Sequence, residues 1–258
     1  MNKNFRAGIV SVTFRQYNFK QIIEYTKLAD LSCIEWGGDI HVPYNNIENA
    51  DTVSEQMREN NLATASYGSY YHLGQFLKPE FYMILETAKK ISAPVIRAWG
   101  GVKSSRDLDI QSKSNILSDV LDISRQTEKA GIKISLEYHD GTITDTAESA
   151  LDFMREVRKQ GGDNIYLYWQ PNPSLSFGEN RQELIKICPY LSNIHVFACE
   201  KSAWLPLAEH RDKWRSYIDI IKDSGGNHDF LLEFVKGDEA GQMLEDAKIL
   251  IDLLEKIT

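Results

Sequence analysis

Short runs of apolar and β-branched residues alternate with longer amphipathic stretches along this chain, and the unit recurs eight times. The short runs predict strands at Ala7–Phe14, Cys33–Trp36, Ala63–Tyr67, Val95–Trp99, Lys133–His139, Ile165–Trp169, Asn193–Ala198 and Phe230–Phe234. Between them, helical periodicity predicts Phe19–Leu28, Ala50–Asn60, Pro79–Ile91, Ser112–Lys129, Thr146–Gln160, His210–Asp223 and Glu239–Lys256. Gly131, Gly161–Gly162 and Gly225–Gly226 fall where helices must stop, because glycine adopts the left-handed conformation at little cost. Strands separated by a helix's length of chain pair in parallel. Eight such units close a single (β/α)₈ TIM barrel spanning the chain. The rival, an open doubly wound sheet, is disfavoured because no glycine-rich phosphate loop follows the first strand.

The bulk numbers agree. A length of 258 residues suits one such barrel, and 42% hydrophobic with 26% charged residues suits a chain with a substantial core. No apolar stretch is long enough to span a bilayer, so no membrane association is expected. The Ala7–Val12 run meets Thr13 and Arg15 at once, which fits a first strand better than a leader. A net charge of −8 disfavours a nucleic-acid partner. Cys33, Cys188 and Cys199 are odd in number, scattered and set in apolar runs, so the expectation is reduced thiols and a cytoplasmic location.

Chemistry enters with the polar residues at strand ends, because a barrel interior is otherwise filled by branched apolar side chains. Four late strands each carry one: Glu137 in ISLEYHD, Gln170 in YLYWQPNP, His195 in NIHVFAC and Glu233 in FLLEFVKG. A lone Glu there is commonly a surface ion pair, and a lone His a hydrogen-bonded core residue. Four on consecutive strands at matching depth point instead to a shared centre. Two carboxylates, an imidazole and an amide oxygen suit a divalent metal: Mn²⁺, Mg²⁺, Co²⁺ or Zn²⁺.

Through these residues the chain resembles the xylose-isomerase-like TIM barrels, a group of sugar isomerases, ketose 3-epimerases and inosose dehydratases that includes apurinic endonucleases. The resemblance runs from the first strand to the last helix. It implies a divalent metal held by Glu, Asp, His and Glu from strands five to eight, matched here by Glu137, His195 and Glu233. Gln170 stands where the family has Asp, which removes one negative charge from the site. Pro171, Asn172 and Pro173 replace the region where the family often has His, and Val196, Phe197 and Ala198 follow His195 where the family has a His-x-x-Asp run. The implied activity is that of a metal-dependent isomerase or epimerase on a keto-sugar or related polyol. Glu137 and Glu233 would be its acid and base, and a metal-stabilised enediolate its intermediate. Barrels of this family often form dimers or tetramers.

Trp36, Trp99 and Trp169 end strands two, four and six and offer flat rings to a sugar, although such rings also dominate core burial. Arg97, a charge inside a strand, must be paired; it binds substrate or forms an ion pair with Glu35 or Glu137. His72 and His139 lie on loops over the mouth as further substrate contacts, and Asp39 and His41 lie on a mouth loop too. The Asp39–Asn49 segment reads as a lid, and Trp204 as a closure from the opposite side. Two other readings stand beside the epimerase. One is a dehydratase or glycoside-type lyase on the same scaffold; the other is a non-catalytic sugar-binding barrel that has lost its metal. The endonuclease is disfavoured by six histidines and by the charge.

Overall fold

The computed structural model describes residues 4–75 and 78–255. Its eight barrel strands are β1 (Phe5–Val10), β2 (Cys33–Gly37), β3 (Ala63–His72), β4 (Val95–Trp99), β5 (Lys133–Glu137), β6 (Ile165–Trp169), β7 (Leu191–Val196) and β8 (His228–Leu232). The helices are α1 (Phe19–Leu28), α2 (Ile47–Glu59), α3 (Lys78–Lys90), α4 (Ile110–Glu128), α5 (Ala147–Lys159), α6 (Phe177–Ile187), α7 (Arg211–Ser224) and α8 (Ala240–Glu255). Every strand pairs in parallel with its sequence neighbours, and β8 returns to β1, so the sheet closes. The expected (β/α)₈ barrel is therefore the observed one.

Two cores follow from strand alternation. Ile34, Trp36, Leu136, Trp169 and Ile194 face outward into the large apolar layer beneath the helices. Val10, Cys33, Ala65, Tyr168 and Leu231 form a much smaller cluster inside the barrel. The rest of the interior is polar: the Ser135 and Ser192 hydroxyls meet at 2.6 Å, and Glu35, Arg97, Glu137 and His195 are all buried.

Element ends differ from the sequence reading where local chemistry decides them. The first strand stops at Val10, and Ser11–Phe14 turn into a short 3₁₀ segment. The third runs on to His72, five residues past the expected end. Helix α6, to which periodicity assigns no bounds, opens on a capping box in which Ser176 and Glu179 satisfy each other's backbone N–H groups. Asn18 and Gln21 do the same for α1. A two-residue antiparallel hairpin, Cys199–Glu200 with Ala203–Trp204, has no counterpart in the sequence reading. Lys256, the expected end of the last helix, lies outside the described residues. Among the glycines, Gly161 takes the left-handed conformation with φ +85°, whereas Gly162 is required by packing: a Cβ there would lie 2.5 Å from Val157 Cγ1.

Candidate active site at the mouth of the barrel

Strand parity builds the site. Glu35, Arg97, Glu137 and His195 occupy inward positions on β2, β4, β5 and β7, while Gln170 and Glu233 follow β6 and β8 directly. Arg97 lies between two carboxylates. Its Nε donates to Glu35 Oε1 at 2.8 Å, and its Nη1 to Glu137 Oε2. Ser66 Oγ donates to the other Glu35 oxygen at 2.6 Å and lies 3.2 Å from the Tyr168 hydroxyl. The guanidinium has room because β3 carries Gly68 opposite it; a Cβ there would lie 2.7 Å from Arg97 Nη2 and 3.0 Å from Glu35 Oε1.

His195 is the hub of the second half. Its Nδ1 lies 3.2 Å from Gln170 Oε1, 3.2 Å from Glu233 Oε2 and 3.9 Å from Glu137 Oε1. Its Nε2 lies 3.5 Å from Glu35 Oε1. Neither His195 Nε2 nor Glu233 Oε2 has an aligned hydrogen bond, although both atoms are buried. Burial opposes charge on the imidazole, but Glu233 and Glu35 outweigh it and raise His195 to about 10. Burial likewise opposes charge on Glu35, yet Arg97 and His195 hold it well below the usual carboxylate range. The Tyr168 hydroxyl, buried beside Glu35, is pushed well above its ordinary value.

The donor set fits a divalent cation on two counts. Atoms about 2.1 Å from one cation lie at most about 4.2 Å apart, and every separation from Nδ1 to the three oxygens falls within that limit. Three carboxylates, Glu35, Glu137 and Glu233, face one guanidinium, so one negative charge remains with His195 protonated and two when a cation displaces that proton. Among the described residues, no group of three or more His, Cys, Asp or Glu side chains is already disposed as a finished metal site. Gln170 contributes the one uncharged oxygen beside Nδ1.

Over this centre lies an aromatic rim. Trp99 packs against His139 and His72, with ring centroids 4.5 and 5.4 Å apart. His72 Nδ1 approaches Gly101 O at 3.3 Å, and His139 Nδ1 lies 2.7 Å from Asp140 O. Tyr70, with φ +56°, stacks on Arg97 and receives a hydrogen bond from Arg15, which pairs in turn with Asp39. Trp204 stacks on Phe234, the residue after Glu233, at 4.8 Å.

Several expected contacts are placed elsewhere. Trp36 and Trp169 sit on outward-facing positions beneath the helices, Trp169 against Trp214 and Tyr217, because they alternate with the inward Glu35 and Tyr168. Of the three tryptophans, Trp99 is the one at the mouth. Both charged groups named for Arg97 are its partners, so its guanidinium is already engaged. The segment expected as a lid is pinned: His41 is buried against Ser11 Oγ and Tyr17 O, and Tyr67 holds Val42 O. Ser66, Gly68, Tyr70 and Tyr168 join the site without being singled out by the sequence reading, which named Glu35 only as a partner for Arg97. Glu35, a charge in the apolar run CIEWGG, carries the same signal as Glu137; the others carry none.

No family model matches the chain, and no curated protein does. Solved structures match its fold from end to end. One is a probable 3-DHS dehydratase, AsbF, from Bacillus anthracis, with a TM-score of 0.77, 17% identity, and 95% of this chain and 98% of that one covered. Another is D-psicose 3-epimerase with D-tagatose from Clostridium cellulolyticum H10, at 0.72, 13%, 98% and 99%. A xylose isomerase-like TIM barrel protein from Mycobacterium smegmatis, in complex with magnesium, matches at 0.68, 16%, 96% and 96%. The fold is thus shared with xylose isomerase-like and epimerase barrels of known structure. A dehydratase and an epimerase share it, so fold by itself does not select the reaction.

Proposed function

We propose that this barrel is a metal-dependent isomerase or epimerase that moves a proton on the carbon beside the carbonyl of a keto-sugar or related polyol. One observation carries the reading: oxygens from the ends of β5, β6 and β8 converge on His195 Nδ1 of β7, in a pocket where three carboxylates face a single guanidinium. Glu137, Gln170, His195 and Glu233 would hold the ion. Bound there, a divalent cation supplies Lewis acidity to the carbonyl and an adjacent hydroxyl. The magnesium in the Mycobacterium smegmatis structure supports such an ion in this fold.

The chain's own groups do the rest. Glu233 Oε2 is buried with no aligned hydrogen bond, and a carboxylate that gives one lone pair to the ion would keep others to accept a carbon-bound proton. Glu137 is held by Arg97 through Oε2, which leaves Oε1 turned toward the centre from a strand three places round the barrel. Carboxylates on two sides allow a proton to leave one face and return to the other, which is epimerisation. Trp99, with His72 and His139 against it, forms an apolar wall at the entrance and excludes water. The dehydratase reading needs one base and a departing hydroxyl. It stays as the second choice because AsbF has this architecture.

The first test is elemental. Protein purified without chelator and soaked in Mn²⁺ or Co²⁺ is expected to hold about one ion per chain, and Glu233→Ala to hold far less. Absence of metal from the wild type would remove the reading. Protonation adds an independent signature. In metal-free protein, His195 titrates near 10 when folded, against about 6.5 when unfolded. Its ionic contribution is therefore fully present below about pH 6.5 and lost as pH rises toward 10. Urea midpoints of metal-free protein should fall across that window. Adding Mn²⁺ at pH 8 should release about one proton per ion, since the cation replaces the imidazolium proton. A calorimetric titration in buffers of different ionisation enthalpy reads that number; zero would place the ion away from His195.

A further inference from the structure

The rim of the centre is hollowed on one side, beside Gln170. A small gap of about 50 Å³ beside Gln170 and His139 is bounded by Asp140, Asp145 and Asn172. The same three residues bound a larger cleft of about 600 Å³ that runs over the loops before α5 and α6 toward Arg106 and Gln182. That cleft shares Ser105, Arg106 and Thr146 with a third hollow of about 510 Å³, lined further out by Leu117, Ile143 and Phe153. The three adjoin one another through these shared residues, from beside Gln170 to the outer face.

Together they are far larger than one pyranose ring needs, and the first section is polar. Asp145 accepts from Ser105 N through Oδ2 at 3.0 Å, while its Oδ1 is buried with no hydrogen-bond partner. Asn172 Nδ2 braces Asp140 Oδ1 at 2.7 Å, so both carboxylates are held in place. Asp140, Asp145, Glu179 and Glu183 surround a single cation, Arg106, among the residues that line the cleft. Fixed acceptors of this kind suit hydroxyl groups, and their field opposes a phosphate. The gap beside Gln170 admits the linkage between two rings and not a ring itself.

We propose that the cleft is a subsite for a second, uncharged ring, so that the substrate is a neutral keto-sugar glycoside longer than a monosaccharide. This rests on the mouth being the reacting centre. The ketose end lies over His195 and Glu233, the linkage crosses beside Gln170, and the distal ring presents hydroxyls to Asp145 and Gln182.

Isothermal titration of the full chain, saturated with Mn²⁺, tests the assignment with D-fructose, maltulose, palatinose, lactulose and D-fructose 6-phosphate. At least one disaccharide is expected to bind about tenfold more tightly than fructose, the equivalent of about 1.4 kcal/mol. The phosphate ester should bind no better than fructose. Ser174→Trp, an exposed loop change that fills the cleft, should abolish the disaccharide gain and leave fructose binding unaltered. A panel in which no disaccharide exceeds fructose, a gain that survives Ser174→Trp, or tighter binding of the phosphate ester would each overturn the subsite. Deuterium exchange into the ketoses is followed in parallel. Exchange without a disaccharide gain removes the subsite and keeps the mouth reading. A disaccharide gain that Ser174→Trp abolishes, seen without any exchange, does the reverse.

Discussion

Replacing Arg97 with methionine is expected to destabilise the protein by about 3–5 kcal/mol, because it strands two buried carboxylates without a counter-charge. Glu35 is fully buried and Arg97 2% exposed, so water cannot replace the guanidinium. Both ion pairs are lost at once, and Tyr70 loses the cation beneath its ring. The double variant Arg97→Met/Glu35→Gln should recover part of the loss, since it removes one of the stranded charges. Urea unfolding of the wild type and the two variants measures this. If Arg97→Met unfolds at the wild-type midpoint, the cluster is not held together as described and the argument for its residual negative charge goes with it.

The second large effect falls on turnover. Glu233→Gln keeps an oxygen ligand and the side-chain shape but removes the acceptor, and should slow proton transfer by about 10²–10⁴-fold. Glu137→Gln should cause a loss of similar size. It should also lower stability, because Arg97 then has one carboxylate fewer. Deuterium wash-in followed by NMR separates the two reactions under consideration. In an epimerase, a variant that keeps one carboxylate still exchanges the proton on one face and no longer interconverts the epimers. In a dehydratase, exchange and loss of water fall together. Metal content measured on both variants guards against trivial loss of the ion. Wild-type rates in both variants would exclude these residues from the chemistry.

The architecture was legible in the chain because it depends on repetition. Eight alternations of a short apolar run and a helical period leave few ways to bury every face, and closure of β8 on β1 is one that leaves no edge strand. The meeting of the four late-strand polar residues was legible for a related reason: a polar residue at the end of an apolar run needs a partner, and parity aimed all four the same way. Glu35 carried the same signal on β2 and adds a third carboxylate to the site.

What the sequence left open depends on distance across the barrel. Trp36, Trp99 and Trp169 look alike as strand-end tryptophans, yet a single residue of register turns two of them under the helices and one to the mouth. Gly68 gives no local sign that it makes room for a guanidinium from the next strand, because that constraint lies between residues 29 positions apart. The partners of Arg97 were narrowed to Glu35 and Glu137 but not ranked, and the folded chain uses both. Local pattern fixes which side chains must be inside. Which of them touch is decided when strands distant in sequence are brought to the 4.8 Å or so of sheet spacing and every buried charge must find an opposite one.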